Sequence, residues 1–146
     1  ASVWSPWTVG ETNAIKRVQK RATKMVKECR KLKYIDRLKF LQLPCLRYSR
    51  IRGDMITVYS MLRNRDEGNP TLNTHEDGRT RGHNLKLDTY LCRKNLRKHY
   101  FTNRVVKLWN KLPREVVNAE NVNSFKIGFD TFMKNEECLY DHRCEI

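Results

Sequence analysis

The sequence predicts a mainly α-helical fold, a small helical bundle in two halves joined by a polar loop. Apolar residues recur at the spacing of an amphipathic helix in residues 1–63 and again in residues 101–135. Between them, residues 64–82 are rich in Asn, Asp and Gly, which favour turns. A hydrophobic fraction of 39% in 146 residues is enough for the core of one ordinary domain.

The first predicted helix begins near Thr8 and extends to Glu28. Thr8 and Glu11 have the spacing of a capping box, in which the threonine side chain accepts a hydrogen bond from a backbone amide of the first turn. Apolar residues then recur at helical spacing, and they are Ile15, Val18, Ala22, Met25 and Val26. Basic residues fill the remaining sides, so the helix is amphipathic with a broad basic flank.

Two more helices complete the first part, residues 1–63. The second is predicted from Tyr34 to Leu41, and it ends there because Pro44 disfavours helix at the residue before it. The third is predicted to begin at Pro44, since a proline in the first turn loses no hydrogen bond, and to end near Arg63. Residues 64–82 are the predicted linker.

The C-terminal helical part is predicted over residues 83–135. Leu85 and Leu87 alternate with polar residues, which also allows one short β-strand or hairpin there. A helix is expected from Phe101 to Leu112, with Trp109 on its apolar side, and this position favours core packing over stacking on a nucleic-acid base. A last helix is expected at 123–135, followed by a frayed tail at 136–146.

The charge is large and unevenly distributed. The chain contains 30 Lys and Arg against 16 Asp and Glu, a formal net charge of +14. Residues 1–111 contain 26 of the basic residues and 9 of the acidic ones. A polyanion would relieve this repulsion and release its own counterions on binding. A surface tuned for solubility and an anionic membrane surface are the two alternatives.

Two basic patches are predicted to contact nucleic-acid phosphates. The first comprises Lys16, Arg17, Lys20, Arg21 and Lys24 of the first helix, with Arg47, Arg50 and Arg52 near the start of the third. The second, beyond most of the polar loop, comprises Arg79, Arg81, Arg93, Lys94, Arg97 and Lys98. Such contacts are mostly independent of base sequence and weaken steeply with salt.

Cysteine usage predicts a reducing, intracellular location, in the nucleus, the cytoplasm or both. Five cysteines at wide spacing do not form the pattern of a secreted disulfide framework, and Cys29 and Cys45 are expected to be small packing residues. The grouping of Cys138, His142 and Cys144 is a weak zinc candidate, because a structural site needs a fourth ligand. We therefore expect no metal and no cofactor. No signal peptide and no membrane-spanning stretch is visible.

The sequence offers no catalytic constellation. It contains no phosphate loop, no nucleotide-binding glycine fingerprint and no nucleophile elbow. Metal-dependent polymerases and nucleases need acidic residues that converge on their metals. The acids here are scattered, and the pairs Asp66-Glu67 and Glu76-Asp77 lie in turn-rich sequence. The chain is predicted not to be an enzyme in its own right.

Several phrases, in this order, resemble the C-terminal region of non-LTR (LINE) retrotransposon polyproteins of the CR1/L2/jockey-like group. They are VQKRATKM at 18–25, YIDRL at 34–38 with LQLP at 41–44, RIRGDMI at 50–56, RTRGH at 79–83 and the stretch FTNRVVKLWNKLP at 101–113. The opening Ala1 to Pro6 is similar to the segment that follows the reverse-transcriptase palm in that family. The absence of an initiating Met agrees with a fragment of a longer protein.

The resemblance implies a parent protein with an N-terminal endonuclease and a central reverse transcriptase, whose catalytic aspartates would precede Ala1. This chain would be the thumb and the region behind it. Its first helices would hold the template–primer duplex, and its C-terminal part would help hold element RNA or target DNA. The partners would be RNA, DNA and the rest of the polyprotein, with the oligomeric state open. A retained structural or protein-interaction fragment with a cationic surface is the alternative.

Overall fold

A computed structural model describes residues 5–6, 8–64, 72–74, 82–89, 91, 94–134 and 139–140 of the chain. These residues form a mainly helical structure, which confirms the predicted fold class. In chain order the helices are α1 (Val9–Met25), α2 (Tyr34–Phe40), α3 (Leu46–Arg63), α4 (Asn95–Lys98), α5 (Phe101–Arg104), α6 (Val106–Lys111), α7 (Arg114–Val117) and α8 (Val122–Lys134). A 3-10 turn, Lys27–Cys29, follows α1.

The ends of the first helices follow local chemistry. The Thr8 side chain accepts a hydrogen bond from the Glu11 amide at 3.3 Å, so the predicted N-cap is present. Helix α1 ends before Glu28, because the backbone becomes extended at Val26. Helix α3 begins after Pro44 rather than at it. Cys45 is its N-cap, and the Sγ atom of Cys45 accepts a hydrogen bond from the Tyr48 amide at 3.4 Å.

The segment predicted as a strand pairs with a helix instead. Within the described residues, Leu87 forms a single antiparallel bridge with Thr74 and no longer strand. Asn110 of α6 explains this result, because its side chain satisfies both polar backbone groups of Leu87. The Leu87 amide donates to Asn110 Oδ1 at 2.8 Å, and Asn110 Nδ2 donates to the Leu87 carbonyl at 2.9 Å. The Asn110 side chain therefore forms the two hydrogen bonds with Leu87 that a neighbouring strand would otherwise form.

The stretch predicted as one helix over 101–112 is two helices, α5 and α6, which meet at Val105. Val105 is buried, and α6 carries Trp109 into the core, where its side chain is fully buried. The indole Nε1 donates to the Leu85 carbonyl at 2.7 Å. Core packing of Trp109 is thus confirmed, and the same ring holds the 85–87 segment in place.

One core joins the two predicted halves. A single cluster of buried side chains contains residues of α2 and α3 together with residues of α6, α7 and α8. The Tyr59 ring of α3 stacks on the Phe125 ring of α8, with their centroids 4.5 Å apart. Cys29 and Cys45 are buried, as expected for packing residues. Asn64, residues 72–74 and Gly82 are the described part of the predicted linker.

The predicted tail, 136–146, is described only at Leu139 and Tyr140. Both are half-buried, and the Cys45 amide donates to the Leu139 carbonyl at 3.0 Å. This contact attaches part of the tail to the start of α3. None of the helices in the described ranges combines the length and the apolar character that crossing a membrane requires.

His83, which has no predicted role, is buried beside the core. Its Nε2 atom lies 3.1 Å from the Trp109 carbonyl, which can only accept, so Nε2 carries the proton. Its Nδ1 atom is buried and has no hydrogen-bond partner in the described part of the chain. Burial lowers the pKa of His83 and outweighs the hydrogen bond to the Trp109 carbonyl, which raises it, and the nearby Lys86 lowers it further. The folded chain therefore favours the neutral imidazole.

We expect His83 to make the fold sensitive to mild acid. Because the folded pKa lies below the unfolded value of 6.5, the unfolded chain takes up the proton first as the pH falls. The free energy of unfolding should therefore be highest above that value and decrease below it. Urea denaturation at a series of pH values should show a smaller decrease in His83→Gln than in the wild type. An unchanged profile in His83→Gln would refute this role.

Candidate nucleic-acid interface

Helix α1 exposes a row of basic side chains. Arg17, Arg21 and Lys24 are exposed and lie on one side of the helix, because residues three and four apart are neighbours on a helix surface. In the part of the chain that the structure describes, none of the three forms an ion pair. The only acid within α1 is Glu11, in the first turn. This row, Arg17, Arg21 and Lys24, is called the basic row below.

Helix α1 docks on the rest of the fold through polar side chains. The Gln19 side chain donates to the Pro44 carbonyl at 3.3 Å and accepts a hydrogen bond from the Tyr34 hydroxyl. Thr23 is buried on the same side. The Lys20 ammonium lies 5.2 Å from the centroid of the Tyr34 ring. These contacts fix the rotation of α1 and turn the basic row away from the core.

The apolar stripe of α1 does not pack on the core. Val18 is 69% exposed and Met25 is 75% exposed, and Ala22 between them is also exposed. Ile15 and Val26 are half-buried. The helix thus has three sides: a polar docking side, the basic row, and an apolar stripe next to that row.

Arg52, a predicted phosphate ligand, forms an ion pair with Asp130 at a partly exposed contact between α3 and α8. Its guanidinium Nε lies 2.6 Å from Asp130 Oδ1, and its Nη2 donates to Asp130 Oδ2 at 2.8 Å. The Tyr48 hydroxyl donates to the same carboxylate at 2.8 Å. The Arg52 hydrogen bonds hold the pKa of Asp130 below its usual value. Arg52 therefore connects α3 to α8, and its charge is already balanced.

Arg47 and Arg50 line a cleft of about 370 Å³, which is bounded by α3, by residues of the segment 99–108 and by Ser5, Pro6 and Thr12. The charged and titratable residues of this cationic cleft are Arg47, Arg50, Asp54, His99, Arg104 and Lys107. The sequence did not indicate His99, Arg104 and Lys107 as part of the interface. They lie 36 to 44 residues after the end of α3, and the tertiary fold brings them next to it.

The single acid of the cationic cleft is already paired. Asp54 is 4% exposed, and Arg104 holds its carboxylate through two parallel hydrogen bonds. Arg104 Nε donates to Oδ2 at 2.9 Å, and Arg104 Nη2 donates to Oδ1 at 3.1 Å. Such two-pronged pairing is the strong form of an arginine–carboxylate contact. With Asp54 neutralised, the cationic cleft keeps a positive balance.

Lys16, another predicted residue, is half-buried, and its ammonium lies 6.0 Å from the centroid of the Tyr34 ring. Lys94, Arg97 and Lys98 are exposed, and His99 of the cleft directly follows them in the chain. Arg79, Arg81 and Arg93 lie outside the described residues, as do Cys138, His142 and Cys144. Among the residues that the structure describes, no three His, Cys, Asp or Glu side chains are placed to hold a metal ion.

Comparison of the chain with models of protein families, with curated proteins and with solved structures finds no match. The resemblance to LINE reverse transcriptases therefore stays a prediction from the sequence. The charges, burial and contacts of α1 and of the cationic cleft are the structural basis for a function.

Proposed function

We propose that this chain is a non-catalytic nucleic-acid-binding part of a retrotransposon reverse transcriptase. It would hold a template RNA–primer duplex or target DNA through phosphate contacts. The observation that carries the proposal is the basic row of α1, which is exposed and which no carboxylate neutralises in the described part of the chain. A polyanion that binds there gains electrostatic energy and releases counterions.

The dimensions of the basic row suit a nucleic-acid strand. From Arg17 to Lys24 the helix rises about 10 Å, at about 1.5 Å for each residue. Successive base pairs of a duplex rise about 3.4 Å along its axis, so a row parallel to that axis spans about three base pairs. Lys20 lies against Tyr34, which restricts its side chain and leaves it near the same edge. Contacts of this kind position a duplex without reading its bases.

In this proposal, the polymerase reaction of the parent enzyme would take place outside this chain. The reverse-transcriptase palm would precede Ala1, and this chain would position its nucleic acid, in the nucleus or the cytoplasm. The weak zinc candidate at the tail is not needed for phosphate contacts, and neither is a cofactor. RNA, DNA and the rest of the polyprotein are the proposed partners.

One observation favours the alternative of a protein-interaction fragment. Val18, Ala22 and Met25 form an exposed apolar stripe on α1, where a purely phosphate-binding helix would need none. A protein that covers this stripe, such as another part of the polyprotein, would gain free energy from the buried apolar area. The two functions use different sides of α1 and can be separated by mutation.

Reversing the charge of the basic row should abolish duplex binding at moderate salt. In the variant Arg17→Glu, Arg21→Glu, Lys24→Glu, three phosphate contacts are lost and three repulsive charges are added. The slope of log affinity against log salt concentration should become shallower by about 3, since each contact contributes about 0.9. Fluorescence anisotropy of a labelled RNA–DNA duplex over a salt series measures both quantities.

A matched control distinguishes the effect of the position of the reversed charges from the effect of the change in net charge. Lys111→Glu, Arg114→Glu, Lys134→Glu makes the same change in net charge at exposed sites on α6, α7 and α8, and it should leave most of the affinity. If the two variants lose affinity equally, the basic row has no special role. If the α1 variant keeps wild-type binding, or wild-type binding hardly changes with salt, the alternative is favoured and the proposal fails.

A further inference from the structure

We propose that the cationic cleft binds the phosphate group of a single nucleotide whose sugar or base lies on the apolar floor of the cleft. The inference rests on the proposed function, because the nucleotide would belong to the strand that the chain holds. It goes further by assigning a concave site with a defined ligand class, distinct from the basic row on the surface of α1. Arg50 and Lys107 are the residues that would hold the phosphate.

The shape of the cleft suits a nucleotide better than a regular duplex backbone. A volume of about 370 Å³ lies within the range of small-molecule sites, roughly 300–1,000 Å³. A duplex presents its phosphates on a convex surface, for which an exposed helix such as α1 is sufficient. A nucleotide at a strand end, or one that is turned out of the helix, can enter a cleft instead.

The charges of the cleft converge from separate elements. Arg47 and Arg50 come from α3, and Lys107 comes from α6 on the opposite wall. Arg104 is bound to Asp54, so the acid does not repel an incoming anion as a free carboxylate would. Cations on two walls can approach a phosphate from two directions, which a single helix surface cannot do.

Arg50 is the group that an anion would stabilise most. Its side chain is half-buried, and in the described part of the chain it makes no hydrogen bond or ion pair. Burial lowers the pKa of Arg50, and this effect outweighs the interaction with Cys45, which raises the pKa; Arg47 lowers it further and Asp54 raises it. The charged guanidinium is therefore poorly solvated where it lies. A phosphate oxygen would supply the hydrogen bonds that water supplies less well in a cleft.

The floor of the cleft is apolar. Ile51 and Met55 lie one turn apart on α3, and Leu108 of α6 faces them across the cleft. An apolar floor next to cations fits the two parts of a nucleotide, an uncharged nucleoside and an anionic phosphate. A free inorganic anion would use the cations alone and leave this surface in water.

Two kinds of phosphate share this chemistry. A terminal phosphomonoester carries about 1.5 to 2 negative charges at neutral pH, whereas an internal phosphodiester carries one. Cations that approach from two walls should favour the higher charge, so we expect the terminal group to bind more tightly. The experiment distinguishes them with strands that differ only at the 5′ end.

The test compares the full chain with the variant Arg50→Gln, Lys107→Gln. The probes are adenosine 5′-monophosphate, and a single-stranded oligonucleotide with either a 5′-phosphate or a 5′-hydroxyl, each titrated by calorimetry. The wild type should prefer the phosphorylated strand about tenfold, the effect of one or two hydrogen bonds to charged groups. The variant should lose this preference and the mononucleotide binding, but keep duplex binding through the basic row.

Matched controls make every outcome informative. Arg114→Gln, Lys134→Gln removes the same charge from exposed sites outside the cleft and outside both predicted basic patches and should keep the preference, and a thermal melt verifies that each variant folds. Equal loss of both strands in the cleft variant alone also supports the site, with an internal phosphodiester as its ligand. Wild-type behaviour of the cleft variant with all probes would overturn the inference and leave the basic row unaffected. If the basic-row variant loses duplex binding alone, the two sites are independent.

Discussion

Phe125→Ala should lower the free energy of unfolding by about 3–5 kcal/mol, the usual cost of removing a buried aromatic ring. Phe125 is fully buried on α8 and lies at the centre of the aromatic core. Its ring stacks on Tyr59 at 4.5 Å between centroids and lies 5.9 Å from Trp109 and 6.2 Å from Phe129. Removing it leaves a cavity between helices that the linker joins, so both parts of the fold should lose stability together.

Ile127→Ala is the matched control for Phe125→Ala, because Ile127 lies on the same helix and is 69% exposed. It should cost well under about 1 kcal/mol, as is usual for surface positions. Urea denaturation followed by circular dichroism measures both variants. If the two variants were equally stable, α8 would not form the core in solution as it does in the structure.

Asp54→Ala should lower the free energy of unfolding by about 3 kcal/mol, the low end of the cost of breaking a buried ion pair. Asp54 is 4% exposed, and its carboxylate holds Arg104 through two hydrogen bonds. Removing it leaves a largely buried guanidinium without its counter-charge. The low end applies because the Arg104 side chain is 20% exposed, so water can partly replace the carboxylate.

Asp36→Ala, which removes an exposed acid of α2, is the control and should be nearly neutral. A double variant, Asp54→Ala with Arg104→Met, should recover part of the lost stability, because no buried charge is left unpaired. Chemical denaturation of the four proteins gives the coupling energy directly. A coupling near zero would mean that the pair does not hold α3 and α5 together.

The helices were predictable because their signals are local. The Thr8 cap, the breaker at Pro44 and the apolar spacing that places Trp109 in the core all act within a few residues. These signals located α1, α2, α3 and α8 to within a few residues of their observed ends. The strand at 84–87 was suggested by equally local alternation. In the described residues it is reduced to one bridge between Leu87 and Thr74, and the Asn110 side chain, 23 residues away in the chain, bonds the polar backbone groups of Leu87.

The candidate site was only partly predictable, because charge pairing depends on tertiary packing. Arg50 and Arg52 look equivalent in the sequence, but two residues on a helix point about 200° apart. Arg52 therefore meets Asp130, 78 residues later, while Arg50 lines the cationic cleft. The basic residues of the row on α1 could be predicted from the sequence. The exposure of this row depends on how Gln19 and Thr23 dock the helix. The spacing of apolar residues in the sequence does not predict which side of α1 docks.

The polar docking of α1 also affects the local unfolding of the chain. Its main packing neighbours are α2 and the 3-10 turn, and its large apolar side chains bury little area. Detaching such a helix should cost less free energy than unfolding the aromatic core, so we expect α1 to open before the core does. A duplex on the basic row, or a protein on the apolar stripe, can then shift this local equilibrium while the α3–α8 core stays folded.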